Sequence, residues 1–167
     1  TEVYSNTGGQ ASKASNMGQV AQFAAAGKAI GKKSLAEIAM SYGYVYVAQV
    51  AMGADMNQLM KALTEAEAYH GPSLIIGYAP CEMHGIKGGM QNCQLEMKRA
   101  VDAGYWLMFR YNPTLESGKL IVDSKEPTTD YTKFIESENR YARLEASNPA
   151  RAAVLFEKAK ENAAAHY

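Results

Sequence analysis

The sequence has little of what would mark it as secreted, membrane-spanning or nucleic-acid-binding. It holds two cysteines, Cys81 and Cys93, in 167 residues. That is too few for a disulfide-dense extracellular scaffold and points to a reducing compartment. It has no excess charge: 17 Lys and Arg balance 17 Asp and Glu, so the basic footprint of a nucleic-acid or acidic-membrane binder is missing. No apolar run approaches the roughly 18 residues of a membrane span. No Ser-His-Asp arrangement, phosphate P-loop or paired-carboxylate spacing is visible, which removes the hydrolase readings. There is also no internal repeat, no linker long enough to demand two domains, no initiator Met and no signal peptide. The chain opens directly on Thr1-Glu2-Val3-Tyr4-Ser5-Asn6-Thr7-Gly8-Gly9-Gln10, a polar loop of the kind that leaves a buried strand, with no strand before it.

What is present suits a globular core. Apolar residues make up 47% of the chain and charged residues 20%, which is ordinary for a packed domain of this length. Eleven Tyr and nine Met supply large, adaptable side chains for a core or for partners. Gln19 to Ala26 suggests a short helix. Ser34 and Glu37 fit a capping box before a helix to about Ser41. Tyr44 to Ala51 is β-branched and aromatic and reads as a strand buried on both faces. Asp55 and Gln58 cap a helix in which Leu59, Leu63, Ala66 and Tyr69 recur at helical spacing, and Gly71-Pro72 stops it. Ser73 to Tyr78 is the clearest strand, so strand, helix and strand form a parallel βαβ unit. A polar loop, Ala79 to Gly89, leads to a helix over Met90 to Ala103 with Leu95, Met97 and Val101 inward. Trp106 to Tyr111 and Lys119 to Val122 read as strands, the second pairing back antiparallel. Two helices follow, Tyr131 to Glu145 and Pro149 to Ala165, with Asn148-Pro149 as N-cap and N1 of the last. The expected class is α/β, a mostly parallel sheet with flanking helices and a helical C-terminal tail. Residues 1–125 would form one domain, and 126–167 a tail packing on it or on a neighbour.

Two loops carry chemistry. The opening loop offers hydroxyls, an amide and bare glycine backbone, the equipment for approaching a phosphate or a metal, although an Asn such as Asn6 also serves in turns by bonding its own backbone. The second loop carries Cys81 in Ala-Pro-Cys-Glu-Met-His-Gly, directly after a strand, where α/β proteins place their sites. A free Cys is also commonly a small buried hydrophobe, and one thiol cannot hold an iron–sulfur cluster, which takes about four. Cys93 falls on a helix and reads as structural. His70 ends a helix, His84 reads as a hydrogen-bonding residue of the Cys81 loop, and His166 belongs to the tail.

The run TEVYSNTGGQASKAS resembles the end of the thiamine-diphosphate motif of pyruvate:ferredoxin oxidoreductases. The segments AMSYGYVYVAQVAMGA, EAEAYHGPSLIIGYAPCEMHGI, GYWLMFRYNP and LIVDSKEP resemble the same family. The resemblance covers nearly the whole chain and implies the C-terminal part of a thiamine-diphosphate-binding domain, cut just after the strand leading into the loop. It implies that the Thr1 hydroxyl and the Val3 carbonyl ligate Mg2+, which wants about six oxygens. Residues i and i+2 of an extended segment project the same way, so the pair can face one ion. The same resemblance implies that Glu2, Tyr4, Ser5 and Asn6 contact thiamine diphosphate, with Asn6 donating to the substrate as an oxyanion-hole amide does; Glu2 could equally be solvated or salt-bridged. Cys81 would be the remote ligand of a [4Fe-4S] cluster.

The implied reaction is CoA-dependent oxidative decarboxylation of pyruvate, with electrons passed to ferredoxin or flavodoxin. The partners would be the rest of the same enzyme and a second copy in a homodimer. The setting would be a bacterial cytoplasm or a hydrogenosome-like organelle of a protist. Rival readings are another 2-oxoacid oxidoreductase, or a non-catalytic structural or dimerisation piece. The carboxylate ligand of the ion would lie upstream of Thr1, so residues 1–167 alone are expected to bind thiamine diphosphate and magnesium negligibly and to be inactive.

Overall fold

A computed structural model of the chain describes residues 2–165. Its contacts divide into two units: Ser34–Ala79 with Cys93–Thr128, and Thr1–Lys33 with Pro80–Asn92 and Thr129–Tyr167.

The first of these is built around a four-stranded sheet. Strand β3 (Tyr46–Val50) lies between β4 (Ser73–Gly77) and β5 (Phe109–Tyr111), and β6 (Leu120–Val122) pairs with β5. β3 is apolar except for Gln49, with covering elements on both of its faces. Val47 packs with Ala36, Ala39 and Phe109, the first two from helix α1 (Leu35–Met40). Tyr46, Ala48 and Val50 pack with Ala62 of helix α2 (Met56–Ala68). β3 and β4 run parallel, with Tyr46 opposite Ser73, so the βαβ unit forms as expected. β5 is antiparallel to β3, and β6 to β5. The α/β class therefore holds, but the sheet is mixed and its parallel character is confined to the β3–β4 pair.

Caps act where the sequence places them. The Ser34 side chain accepts from the Glu37 N–H at 3.2 Å, and Asp55 accepts from Asn57 and Gln58 at 2.9 and 3.1 Å. The buried centre of α2 is Gln58 and Ala62, with Leu63 exposed. The helix is turned this way because the Gln58 amide donates inward to the Gln49 carbonyl (3.2 Å) and to Asp123 (2.9 Å). A 3-10 turn at Met90–Asn92 precedes helix α3 (Cys93–Asp102), which buries Glu96, Met97, Ala100 and Val101. These positions make one helical stripe that excludes Leu95, which is exposed, contrary to expectation. The Trp106 indole donates to the Val50 carbonyl at 3.1 Å. β5 begins at Phe109, later than the expected Trp106.

The second unit starts with a hairpin. β1 (Val3–Tyr4) pairs antiparallel with β2 (Gln10–Ala11) around a 3-10 turn at Ser5–Thr7. Gly8 and Gly9 hold φ of 118° and 78°, conformations that side chains disfavour. A Cβ at Gly9 would also stand 1.9 Å from the Met83 Cε. The expected helix from Gln19 does not form. Its backbone groups are committed elsewhere: Val20 donates to the Arg140 carbonyl (2.9 Å), Gln22 to Gly9 (3.1 Å), and Ala11 to Gln22 (3.0 Å). Tertiary pairing overrides the local helix preference of this Ala-rich stretch. Phe23, in the tight turn that results, has φ of 62° and is 93% exposed.

The expected helix over Tyr131 to Glu145 is broken into α4 (Tyr131–Ile135) and α5 (Asn139–Ser147). The break lies where the chain serves the Cys81 loop: Lys87 donates to the Ser137 carbonyl at 2.9 Å and Ile86 bridges Glu138. Helix α6 (Pro149–Ala164) starts at the Asn148 cap as expected. α5 and α6 pack through Tyr141 and Phe156, edge to face at 6.0 Å. These helices share a unit with the opening hairpin and the Cys81 loop.

Candidate functional site

The opening hairpin and the Cys81 loop meet within one unit. Met83, two residues after Cys81, rests in the space that a Cβ on Gly9 would fill. This contact brings together the two loops singled out in the sequence.

In the hairpin, Val3 is buried and Tyr4, Ser5 and Asn6 are exposed. Thr1 lies outside the described residues. Opposite Val3 in the ladder stands Ala11, whose N–H is spent on the Gln22 carbonyl. The turn is closed by the Thr7 hydroxyl, which donates to the Gln10 side-chain oxygen at 2.9 Å, and by the Gln10 amide, which donates to the Thr7 carbonyl at 2.7 Å. Tyr4 also borders an open hollow of about 810 Å³ with Phe23, Lys28 and Ile30.

Glu2 is held at both ends. Its carboxylate pairs with the guanidinium of Arg140, a fully buried residue that also pairs with the equally buried Glu138 at 3.3 Å. Burial presses the Arg140 pKa down, so these carboxylates supply the compensation that a desolvated charge requires. The Glu2 carbonyl accepts from the hydroxyls of Ser12 (2.9 Å) and Ser15. The salt-bridged alternative for Glu2 is therefore the arrangement seen. Arg140 was not legible in the sequence: it sits in an ordinary charged helical stretch, and its partner is 138 positions away.

A further cation sits under the loop. Lys28, nearly buried, donates from Nζ to the carbonyls of Ser15 (2.5 Å), Ser12 (3.0 Å) and Lys13 (3.3 Å). Burial, and secondarily the charge of Lys32, lowers its pKa.

In the second loop, Cys81 is a half-buried free thiol with its Sγ 3.1 Å from the His84 Nδ1. His84 is buried, and its carbonyl accepts from the Asn139 amide at 2.9 Å. Burial, reinforced by the charge of Arg143, lowers its pKa, opposed by a hydrogen bond that the ring donates to the Val20 backbone carbonyl. That fits a hydrogen-bonding loop residue. Cys93 opens α3, in the other unit, and His70 is exposed.

Among the described residues no group of three or more His, Cys, Asp and Glu is placed to hold a metal ion. The hairpin donors are hard oxygens, a carbonyl, a hydroxyl and an amide, which suit part of a shell around a divalent ion and diphosphate. Cys81 is a soft donor that suits one position of an iron–sulfur cluster. No helix among the described residues is long and apolar enough to cross a membrane.

No family model matches the chain. Relatives match it almost end to end. It is 58% identical over 168 residues to the pyruvate:ferredoxin oxidoreductase of Moorella thermoacetica, covering 99% of this chain and 14% of that protein. It is 52% identical over 170 residues to the pyruvate-flavodoxin oxidoreductase of Klebsiella pneumoniae, covering all of this chain and 14% of that protein. It is 46% identical over 170 residues to the mitochondrial pyruvate dehydrogenase [NADP(+)] of Euglena gracilis, covering 9% of that protein. The chain is homologous along its length to one segment of these oxidoreductases and spans about 14% of the first two.

Proposed function

We propose that this chain works as the cofactor-loop and cluster-loop segment of a pyruvate:ferredoxin or pyruvate-flavodoxin oxidoreductase. The observation that carries the reading is identity of 52 to 58% across essentially the whole chain to enzymes of those names. The union of the hairpin and the Cys81 loop in one unit supports it. In this reading thiamine diphosphate with Mg2+ supplies the electron sink for decarboxylation and a [4Fe-4S] cluster carries the electrons away, while the protein orients and polarises. The Val3 carbonyl, with the Thr1 hydroxyl, holds the ion. Glu2, Tyr4 and Ser5 would contact the cofactor, and Asn6 would donate a hydrogen bond to the substrate. Cys81 holds one iron. The substrates are pyruvate and CoA, the partners are the rest of the enzyme and a second copy, and the compartment is a bacterial cytoplasm or a protist organelle.

The electron acceptor is set elsewhere in the enzyme. The same segment recurs at 46% identity in a protein named for NADP+, so ferredoxin, flavodoxin and NADP+ enzymes share it. The test is an anaerobic assay of the complete polypeptide carrying this sequence. CoA-dependent reduction of ferredoxin or flavodoxin by pyruvate, faster than with longer 2-oxoacids, is expected. Faster turnover of a longer 2-oxoacid would move the reading to another branch of the superfamily, and no turnover of any 2-oxoacid would leave a structural segment.

A further inference from the structure

We propose that Lys28 is a positioning residue for the cofactor loop, acting through Ser12 and Ser15 on the Glu2 carbonyl. This rests on the reading of Val3 to Asn6 as the diphosphate–magnesium segment.

The contacts form a chain in series. The Lys28 ammonium has three N–H donors and three carbonyls around it, those of Ser12, Lys13 and Ser15. It thereby gathers one turn of backbone about a single point. Within that turn the Ser12 N–H donates to the Ser15 hydroxyl at 3.0 Å, and the Ala14 N–H to the Ser12 hydroxyl at 3.0 Å. Both hydroxyls then donate to the Glu2 carbonyl. Glu2 immediately precedes Val3, whose carbonyl is the proposed ion ligand. The side chain of the same Glu2 is fixed independently by Arg140. The peptide linking Glu2 to Val3 is thus held by its carbonyl from below and by its side chain from the helical side.

Lys28 is itself anchored through its backbone. Its N–H donates to the Gln19 carbonyl (3.1 Å) and its carbonyl accepts from Gly18 (2.9 Å). Only 9% of Lys28 stays exposed, beside the open hollow, so most of its ammonium must be satisfied by the carbonyls around it. Lys is the side chain that can satisfy three converging carbonyls. Groups hydrogen-bonded directly behind metal ligands typically cost about 10- to 100-fold in affinity when lost, and Lys28, further back in the same series, is placed at the low end of that range.

Two readouts on the complete oxidoreductase test this. The first is thiamine diphosphate affinity of the apoenzyme in Mg2+, by calorimetry. The second is amide hydrogen exchange of a peptide covering Glu2 to Gly9. Lys28→Met is expected to weaken cofactor affinity at least about tenfold and to speed exchange at Glu2 to Tyr4. The double variant Ser12→Ala, Ser15→Ala is expected to do the same. Because the contacts lie in series, combining all three changes should weaken binding no further than either alone. A folded Lys28→Met enzyme with unchanged affinity and exchange overturns the proposal, as do losses that multiply. If Lys28→Met fails to fold, unchanged affinity and exchange in the double-serine variant overturn it instead. A wild-type enzyme that does not bind thiamine diphosphate defeats the functional reading, and the exchange data then still decide the Lys28 clamp.

Discussion

Arg140 reaches across 138 positions of sequence to bind the carboxylate of Glu2, joining the first described residue to a helix near the C-terminus. The guanidinium is wholly buried, so the pair closes the unit around the opening hairpin. Removing one partner of a buried pair strands the other charge, at a cost of about 3 kcal/mol. Glu2→Ala is therefore expected to lower unfolding stability by about that amount, moderated by the Glu138 carboxylate that remains 3.3 Å from the Arg140 Nε. Urea unfolding of wild type and variant measures it, and a change within about 0.5 kcal/mol, typical of surface substitutions, would show that Glu138 alone compensates Arg140.

The sheet unit contains a buried cation of its own. Arg110 on β5 forms two bonds to Asp123, at 2.8 and 2.9 Å, and one to Glu65 of α2 at 2.5 Å. The Tyr46 hydroxyl donates to Glu65 at 2.9 Å. Burial alone would raise the Asp123 carboxyl, but the Arg110 guanidinium and the Gln58 amide together hold its pKa below the ordinary value. A carboxyl with a depressed folded pKa adds stability that is fully present above the unfolded pKa, about 3.9. That stability is lost as pH falls through the folded value. Stability should thus be flat for this group from neutral pH to about 4 and fall below it. Asp123→Asn should be less stable at neutral pH and show a shallower acid decline, as denaturation midpoints across that range would reveal.

Much of the sheet unit was legible because local signals there agree. The β-branched run of β3, the Asp55 cap, the Gly71-Pro72 stop and the clear strand β4 all point to one βαβ arrangement. What failed was phase and partners. Leu63 and Leu95 are apolar yet exposed, since Gln58 and Glu96 occupy the inward positions, and no hydropathy pattern anticipates a buried polar side chain with a distant partner. The hairpin unit was less legible still. Gln19 to Ala26 favours helix in isolation, but Arg140, far away in sequence, and the nearer Gly9, Ala11 and Lys28 take up its backbone groups instead. The candidate loops stand out in the sequence as local segments, but the Lys28 and Arg140 contacts behind the opening hairpin exist only in three dimensions.

Cys81 offers a test independent of turnover. If Cys81 holds one iron of the proposed cluster, the complete enzyme carrying Cys81→Ala should lose about four irons per chain with the corresponding electron paramagnetic resonance signal. Cys93→Ala should keep its iron, since Cys93 is the first residue of helix α3 and reads as structural. Full iron content in the Cys81→Ala enzyme would return this thiol to the role of a partly buried hydrophobe held 3.1 Å from His84.

Asn6 separates binding from chemistry. It is exposed in the 3-10 turn between β1 and Gly8, and neither the Glu2 anchors nor the Thr7–Gln10 bonds that close the hairpin involve its side chain. Replacing it by Ala therefore leaves the loop's supports in place. If its amide donates to charge developing on the substrate, Asn6→Ala should lower kcat by about 100- to 1,000-fold while thiamine diphosphate content stays at the wild-type level. Asn6→Asp keeps the size but replaces the donor with an acceptor charge, so it should be no better than Ala. Parallel loss of cofactor and activity would instead assign Asn6 to holding the cofactor, and unchanged turnover would make it an ordinary turn residue. Measuring cofactor content and kcat on the same preparations distinguishes the three outcomes.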